Sequence, residues 1–132
     1  MRLLADTGAL LAYLLKKDQH HRDAVRFVQQ QPAVRFVVTS LILSELVTRL
    51  RARARALQAA AAGRSLLDSR RYSVLFVDAP LLRSGLARME QFEDNALSLP
   101  DCVSFEVIDR FGLDGAFTFD RNFRDRGYRT WP

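Results

Sequence analysis

Four acidic residues are spaced so that a short α/β chain would bring their carboxylates together. Asp6 and Asp120 each end a short apolar run. Glu45 and Asp101 lie in helical segments between those two runs. Two like charges about 4 Å apart repel by roughly 4 kcal/mol at an effective dielectric of 20, and a divalent cation or a shared proton usually relieves that repulsion. The pattern therefore predicts Mg²⁺ or Mn²⁺ chemistry.

Length and charge favour one basic domain around an acidic pocket. The 132 residues, 48% of them hydrophobic, suit a single domain spanning residues 1–132. When the four proposed site acids are set aside, 11 of the 15 acids remain against 20 basic residues, an excess of +9 on the outer surface. A basic rim around a cation-loaded centre suits a polyanion that is cut by metal-activated water. Only Lys16 and Lys17 are lysines, and the preference for Arg is explained equally well by a GC-rich genome.

Cysteine content and hydropathy predict a cytoplasmic protein without a membrane span. Cys102 is the only cysteine, so no internal disulfide can form, which fits a reducing compartment. The first apolar stretch is broken by Asp6 and lacks the pattern of a signal peptide. No apolar run approaches the roughly 20 residues that a membrane-spanning helix needs.

Short apolar runs alternate with segments of helical character. Strands are predicted at Arg2–Ala5, Val34–Val38, Val74–Val77 and Ala116–Phe119, with an edge strand at Tyr128–Trp131. Helices are predicted at Ala9–Lys16, His20–Gln30 with Asp18 as its cap, Ser40–Leu57, from a break at Gly63 to Arg71, Ala79–Phe92 and Leu99–Phe111, with a loop at Glu93–Leu97 and a helical turn at Arg121–Arg126. This alternation predicts a parallel sheet flanked by helices.

Asp6 and Asp120 each follow a buried strand at its carboxyl end, the edge at which open parallel sheets bind ligands. Each has a simpler explanation when it is taken alone. Asp6 suits a helix N-cap and Asp120 suits a turn after a strand. Their shared position on one predicted edge weakens both simpler explanations.

Asp101 lies inside the apolar arc of its predicted helix, between Ile108 and Phe105 at 100° per residue. An acid on a buried face needs a partner, and a metal ion is one. The alternative is a capping box with Ser98, in which Asp101 is the third helical residue. The two roles are compatible, because a helix N-terminus favours the ionised carboxylate that a metal requires.

Glu45 lies at the margin of the apolar stripe of its helix, within reach of the buried surface. Its alternative is an ion pair with Arg49 one turn later, worth about 0.3–0.5 kcal/mol. Arg49 and Arg53 lie on the Glu45 side and are the better candidates for contact with a polyanion backbone, although a solvated helix face is the more common explanation for any single Arg. His20 and His21 diverge by about 100° on a helix and are interpreted as first-turn residues.

The chain as a whole resembles PIN-domain ribonucleases of the VapC toxin type. The matching motifs are Asp6-Thr7, Ser40 with Glu45, Leu97–Phe105 and Thr118–Phe123. The resemblance assigns Asp6, Glu45, Asp101 and Asp120 as the catalytic and metal-binding acids, with Thr118 and Thr7 beside them. Gly8 stands where many relatives carry Ser or Asn. Asp94 and Asp114 are interpreted as loop acids first and accessory ligands second.

The resemblance also carries expectations about fold and function. It implies a three-layer α/β/α sandwich with a mainly parallel sheet. It implies an endoribonuclease that depends on Mg²⁺ or Mn²⁺ and acts as the toxin of a toxin–antitoxin pair. The expected partners are RNA, a small antitoxin protein and a second copy of the chain in a homodimer.

Other classes of protein also gather acids at strand ends. A receiver-like phosphorylation domain needs an adjacent acidic pair after the first strand and a late Lys, and neither is present. A phosphatase of the haloacid-dehalogenase type needs a second acid two residues after Asp6, where this chain has Gly8. A catalytically silent RNA-binding or interaction module, and a PIN nuclease with a housekeeping role in RNA processing, remain the alternatives.

Overall fold

A five-stranded parallel sheet runs through the computed structural model, which describes residues 1–93 and 97–132. The strands are β1 (Arg2–Ala5), β2 (Arg35–Thr39), β3 (Tyr72–Leu75), β4 (Gly115–Phe117) and β5 (Thr130–Trp131). The helices are α1 (Thr7–Leu14), α2 (His21–Gln30), α3 (Ser40–Arg51), α4 (Ala56–Asp68), α5 (Ala79–Glu90), α6 (Leu99–Phe111) and α7 (Arg121–Asp125). The predicted α/β/α sandwich with a parallel sheet is confirmed.

The strand order is β3-β2-β1-β4-β5, so the chain builds outward from β1 in both directions. Leu3 of β1 lies opposite Phe36 of β2 on one side and opposite Gly115 of β4 on the other. The strand order therefore reverses between β1 and β4, because β2 and β3 lie on one side of β1 and β4 and β5 lie on the other. In open parallel sheets, the crevice at the carboxyl ends of two such strands is the usual ligand site.

The core is made by strands that are buried on both faces. Leu3, Leu4 and Ala5 of β1 are fully buried, as are Phe36 and Phe117 on the neighbouring strands. Continuous apolar runs of this kind are typical of parallel strands that are covered by helices on both sides. The buried centre of the molecule is therefore formed by β1, which Asp6 follows directly, and β4, which precedes Asp120. In the described part of the chain, no helix has the length and apolar character needed to span a bilayer.

The predicted helix Ser40–Leu57 is wrong at residues 52–55, where it is interrupted, and Gly63 does not break a helix. Helix α3 ends at Arg51, and α4 begins at Ala56 and continues through Gly63. A Cβ atom at Gly63 would lie 3.0 Å from Cγ2 of Val47. The glycine is thus a contact residue that lets α4 approach α3, rather than a helix terminator.

Several predicted boundaries shift by a few residues. Strand β3 begins two residues before the predicted Val74, and β4 ends at Phe117 instead of Phe119. Asp18 is not the cap of α2, because His20 occupies that position and Asp18 Oδ1 accepts a hydrogen bond from the His20 amide at 2.8 Å. Of the predicted loop Glu93–Leu97, residues 94–96, including Asp94, lie outside the described residues.

Gly115 marks a close backbone approach within the sheet. Its φ of +151° lies in the range that L side chains rarely adopt. A Cβ atom there would lie 2.2 Å from the carbonyl oxygen of Arg129 and 2.8 Å from Cζ3 of Trp131. The absence of a side chain is what lets β5 pair with β4.

Candidate active site

All four predicted acids line one pocket of about 430 Å³ at the carboxyl edge of the sheet. Asp6 follows β1, Glu45 projects from α3, Asp101 is in the first turn of α6, and Asp120 precedes α7. The pocket lies at the β1–β4 switch point. Four distant stretches of sequence therefore meet where the topology predicts a ligand.

Asp6 is the buried member of the group. Its Oδ1 accepts a hydrogen bond from the amide of Ala9 at 2.7 Å, which caps α1, and its Oδ2 accepts one from the hydroxyl of Thr118. Burial, with a smaller contribution from the charges of Asp101 and Asp120, raises the pKa of Asp6 to about 7, although the two hydrogen bonds lower it. A substantial fraction of the Asp6 carboxyl groups is therefore protonated in near-neutral solution unless a cation replaces that proton.

Asp101 combines the two roles that its sequence position suggests. Its Oδ2 accepts from the amide of Ser98 at 3.1 Å, and its own amide donates to the Ser98 hydroxyl at 3.2 Å, which completes a capping box. Burial raises the pKa of Asp101, and the nearby charges of Asp120 and Glu45 add to that effect. The same carboxylate thus caps α6 and faces the other acids.

Asp120 and Glu45 are each held by a neighbouring hydrogen bond. Asp120 Oδ1 accepts from the amide of Asn122 at 2.9 Å, and Glu45 Oε2 accepts from the Thr7 hydroxyl at 3.1 Å. The Thr118 hydroxyl, which donates to Asp6, also accepts from the Asp120 amide at 2.9 Å. Thr118 lies just after the end of β4, and its hydroxyl links the two acids.

Three helices begin at this pocket. Asp6, Ser98 and Asp120 are the N-caps of α1, α6 and α7, so the partly positive end of each helix points toward the acids. Helix N-termini stabilise ionised carboxylates and also attract phosphate oxygens. This local field offsets part of the repulsion among the four acids.

The donor set fits a hard divalent cation in its chemistry. Mg²⁺ and Mn²⁺ take oxygen ligands, and the pocket offers four carboxylates, two of which have raised pKa values. Among residues 1–93 and 97–132, however, no three His, Cys, Asp or Glu side chains already converge as a metal centre. The carboxylate side chains would therefore have to rotate before three of them could share an ion.

The pocket also contains residues that sequence reasoning did not assign to it. Asp18, His20 and Phe119 line its wall, and Gly8 lines its floor with room for a side chain, since a Cβ atom would meet only Asp6 Oδ1 at 3.7 Å. Asp114 is a loop acid, as interpreted first, since its Oδ2 accepts from the Arg2 amide at 2.8 Å and the residue does not line the pocket.

A second cleft of about 640 Å³ adjoins the acidic pocket and has the opposite charge. Its charged lining residues are Lys16, Lys17, Arg49 and Arg53 against a single acid, Asp18. Asp18 and Arg49 line both concavities. Arg49 also lies 3.8 Å from Glu45, at the boundary between them. A polyanion crossing this boundary would meet cations on one side and the acids on the other.

The raised pKa of Asp6 predicts a pH dependence of stability in the metal-free protein. The pKa of Asp6 is about 7 in the folded state and 3.8 ordinarily, so its contribution to the stability of the fold is fully present below about pH 4. That contribution, on the order of 4 kcal/mol, is lost as the pH rises through about 7. Urea unfolding in EDTA between pH 4.5 and 8 measures it, with Asp6→Asn as the reference. Parallel profiles of the two proteins would contradict the assignment.

Comparison with known proteins identifies sequence and structural relatives. The sequence profile of the PIN domain matches residues 3–127. VapC20 of Mycobacterium tuberculosis, a toxin that cleaves the sarcin-ricin loop, is 24% identical and superposes with a TM-score of 0.86 over 96% of each chain. No curated protein sequence matches this chain significantly.

Two further solved structures share the fold at lower identity. VapBC2 of Rickettsia felis, bound to a DNA fragment from its promoter, has 12% identity and a TM-score of 0.73 over 100% of both chains. A toxin–antitoxin complex from Klebsiella pneumoniae has 14% identity and a TM-score of 0.65, covering 92% of this chain and 88% of that one.

Proposed function

The chain belongs to the PIN domain family, and on that basis we propose that it is a metal-dependent endoribonuclease, the toxin of a toxin–antitoxin pair. The observation that carries the proposal is the meeting of Asp6, Glu45, Asp101 and Asp120 in one pocket at the β1–β4 switch point. The similarity to VapC20 and to toxin–antitoxin complexes supports the toxin role. The expected partners are RNA, a small antitoxin and a second copy of the chain, in the cytoplasm.

Asp6 and Asp101 are the proposed direct metal ligands, with Asp120 and Glu45 completing the set. Mg²⁺ or Mn²⁺ bound there would supply a water of lowered pKa and positive charge against the phosphate. The Thr118 hydroxyl fixes the orientation of the Asp6 carboxyl group. Metal binding requires that carboxyl group to be ionised. The overall reaction adds water across a P–O bond of RNA, which leaves a hydroxyl at one new end and a phosphate at the other.

Millimolar Mn²⁺ is expected to raise the thermal midpoint of the wild type. Binding at 100 times Kd would stabilise the fold by about 2.7 kcal/mol. Thermal melts with and without Mn²⁺ measure the shift, and the double variant Asp6→Asn/Asp101→Asn should not show it. An equal shift in both proteins would mean that the ion binds elsewhere.

The cationic cleft is the proposed path of the RNA backbone. Arg49 and Arg53 are joined there by Lys16 and Lys17. The Arg53 guanidinium donates to the Arg49 carbonyl oxygen at 3.3 Å, which holds the Arg53 side chain, in the turn after α3, against the last turn of that helix. Cations in a row give phosphate contacts that are independent of base identity.

Reversal of one cleft charge should weaken RNA binding. Arg53→Glu is expected to lower affinity about tenfold and to reduce the slope of log K against log salt by about 1. Fluorescence anisotropy with single-stranded RNA in the uncleaving Asp101→Asn background measures both values. Arg64→Glu, an equal change on an exposed face of α4, is the control. An equal loss of RNA affinity in both variants would mean that only the net charge of the protein matters, and not the position of Arg53.

Expression of the chain in a bacterium tests the toxin proposal. Growth arrest is expected from the wild type, rescue from co-expression of the neighbouring small gene product, and no arrest from Asp6→Asn. We expect the antitoxin to direct an Arg or Lys at the acidic pocket, where its charge would satisfy the carboxylates. High soluble expression of an innocuous wild type would contradict the toxin role but not nuclease activity.

Sequencing of new RNA ends after brief expression separates the remaining functions. A toxin should create many new ends within minutes, whereas a housekeeping PIN nuclease should trim a few defined precursors. A silent RNA-binding module should create none, and purified wild type should then leave RNA intact in Mn²⁺. Cleavage that EDTA does not stop would contradict metal dependence.

A further inference from the structure

His20 and Phe119 form a parallel aromatic stack on the wall of the acidic pocket. Their ring centroids lie 4.3 Å apart and their planes differ by 5°. Both residues line the pocket, and Phe119 directly precedes Asp120. The stack therefore lies beside the acids rather than in the hydrophobic core.

The stack is held in place from both sides. The His20 amide donates to Asp18 Oδ1 at 2.8 Å, and its carbonyl oxygen accepts from Ala24 at 3.0 Å, which fixes the loop before α2. Phe119 packs edge-on against the buried Phe117 with centroids 6.2 Å apart. The rings are thus ordered before any ligand arrives, and a ligand that stacks on them does not have to order them.

Packing of the α1–α2 loop explains why Phe119 is covered, but it does not require an imidazole at position 20. A Leu would fill the same space at a lower desolvation cost, because it has no ring nitrogens to hydrate. His20 is only half-buried, and its flat polar ring lines a pocket that also contains five acidic residues. Flat aromatic rings beside a phosphate-cleaving centre are suited to the face of a nucleobase.

We propose that the His20–Phe119 pair is the stacking platform for one unpaired nucleobase next to the scissile phosphate. The proposal rests on the proposed ribonuclease function and adds a specificity element to it. Stacking accepts every base, but it favours the larger π-surface of a purine. The substrate is therefore single-stranded RNA, or an RNA loop, with a purine at one position flanking the cut.

A matched pair of substitutions separates stacking from packing. His20→Leu keeps an apolar filler but removes the π-face, whereas His20→Phe keeps the π-face but removes the ring nitrogens. A random-sequence RNA pool is cleaved in Mn²⁺ by each protein, and the nucleotides flanking the new ends are sequenced. We expect His20→Leu to lose about tenfold in kcat/KM, together with the purine preference at one position. His20→Phe should retain the preference.

Fluorescence gives a readout that does not need cleavage. In the Asp101→Asn background, 2-aminopurine placed in short single-stranded RNA should be quenched on binding, because stacking quenches it. The quenching should persist with His20→Phe and disappear with His20→Leu. Thermal melts of the variants check that the loop has not unfolded.

The outcomes separate the platform from the nuclease. Cleavage whose rate and preference are unchanged in His20→Leu would overturn the platform and leave the nuclease intact. Equal losses in both variants would also overturn it, since the ring nitrogens would then be what matters. Quenching that depends on His20, without cleavage by the wild type, would support the platform and overturn the nuclease function. A wild type that neither binds nor cuts RNA would overturn both.

Discussion

Replacement of Asp101 by Asn is expected to abolish RNA cleavage while the fold is retained. The amide oxygen can still accept from the Ser98 amide, so the cap of α6 survives. The negative charge that a hard cation requires is lost, and so is its repulsion of the other acids. We expect a fall in kcat of at least roughly 10³-fold, with a thermal midpoint close to that of the wild type. Single-turnover cleavage of labelled RNA by nuclease-free protein measures it.

Asp68→Asn is the control for the removal of a carboxylate. Asp68 is exposed at the end of α4 and does not line the acidic pocket. Its variant should cut RNA at the wild-type rate. Wild-type activity in Asp101→Asn would show that the residue is only a helix cap.

Gly115→Ala should be the most damaging small substitution in the sheet. The added methyl group would lie 2.2 Å from a backbone oxygen of Arg129, which cannot move without breaking the pairing of β4 with β5. Strain at this φ and overpacking together should cost roughly 3–5 kcal/mol. In thermal melts, the midpoint should then fall by roughly 10–20 °C.

Gly127→Ala is the matched control, because Gly127 also has a positive φ, of +85°, but nothing lies within 4 Å of the position that an added Cβ atom would take. Its cost should be about 1 kcal/mol, from backbone conformation alone. Equal losses in the two variants would mean that the contact with Arg129 contributes nothing. Urea unfolding of both proteins makes the comparison in free energies of unfolding.

The strands and the order of elements could be predicted because buried parallel strands are short continuous apolar runs. The break between α3 and α4 could not, since the turn at residues 52–55 contains neither Gly nor Pro. Gly63 caused the opposite error, because it suggested a helix break where α4 is continuous. Its role is a close contact with Val47, and such contacts between distant residues leave no local signal in the sequence.

The residues of the candidate site also divide into those that local sequence signals located and those that only tertiary packing placed there. Asp6 and Asp120 could be located because strand ends fix them, and Asp101 because a helical arc and a capping box both pointed to it. Asp18 and His20 lie in a loop whose path depends on the packing of α1 against α2, so nothing in the sequence placed them at the pocket wall. Phe119 was assigned to a strand that ends two residues earlier.

The pocket acids have both a structural and a proposed catalytic role, which limits the substitutions that such a protein can accept once catalysis is no longer selected. Asp6 and Asp120 each cap a helix as well as line the pocket, and Asp101 completes the capping box of α6. Drift to Ala or Val therefore removes about 1 kcal/mol of cap stability together with the charge. A lineage released from selection on catalysis would keep a folded protein most easily through Asn or Ser at these positions. Inactive descendants should therefore still begin their helices with the same short polar residues, and their sequences would still resemble those of active enzymes.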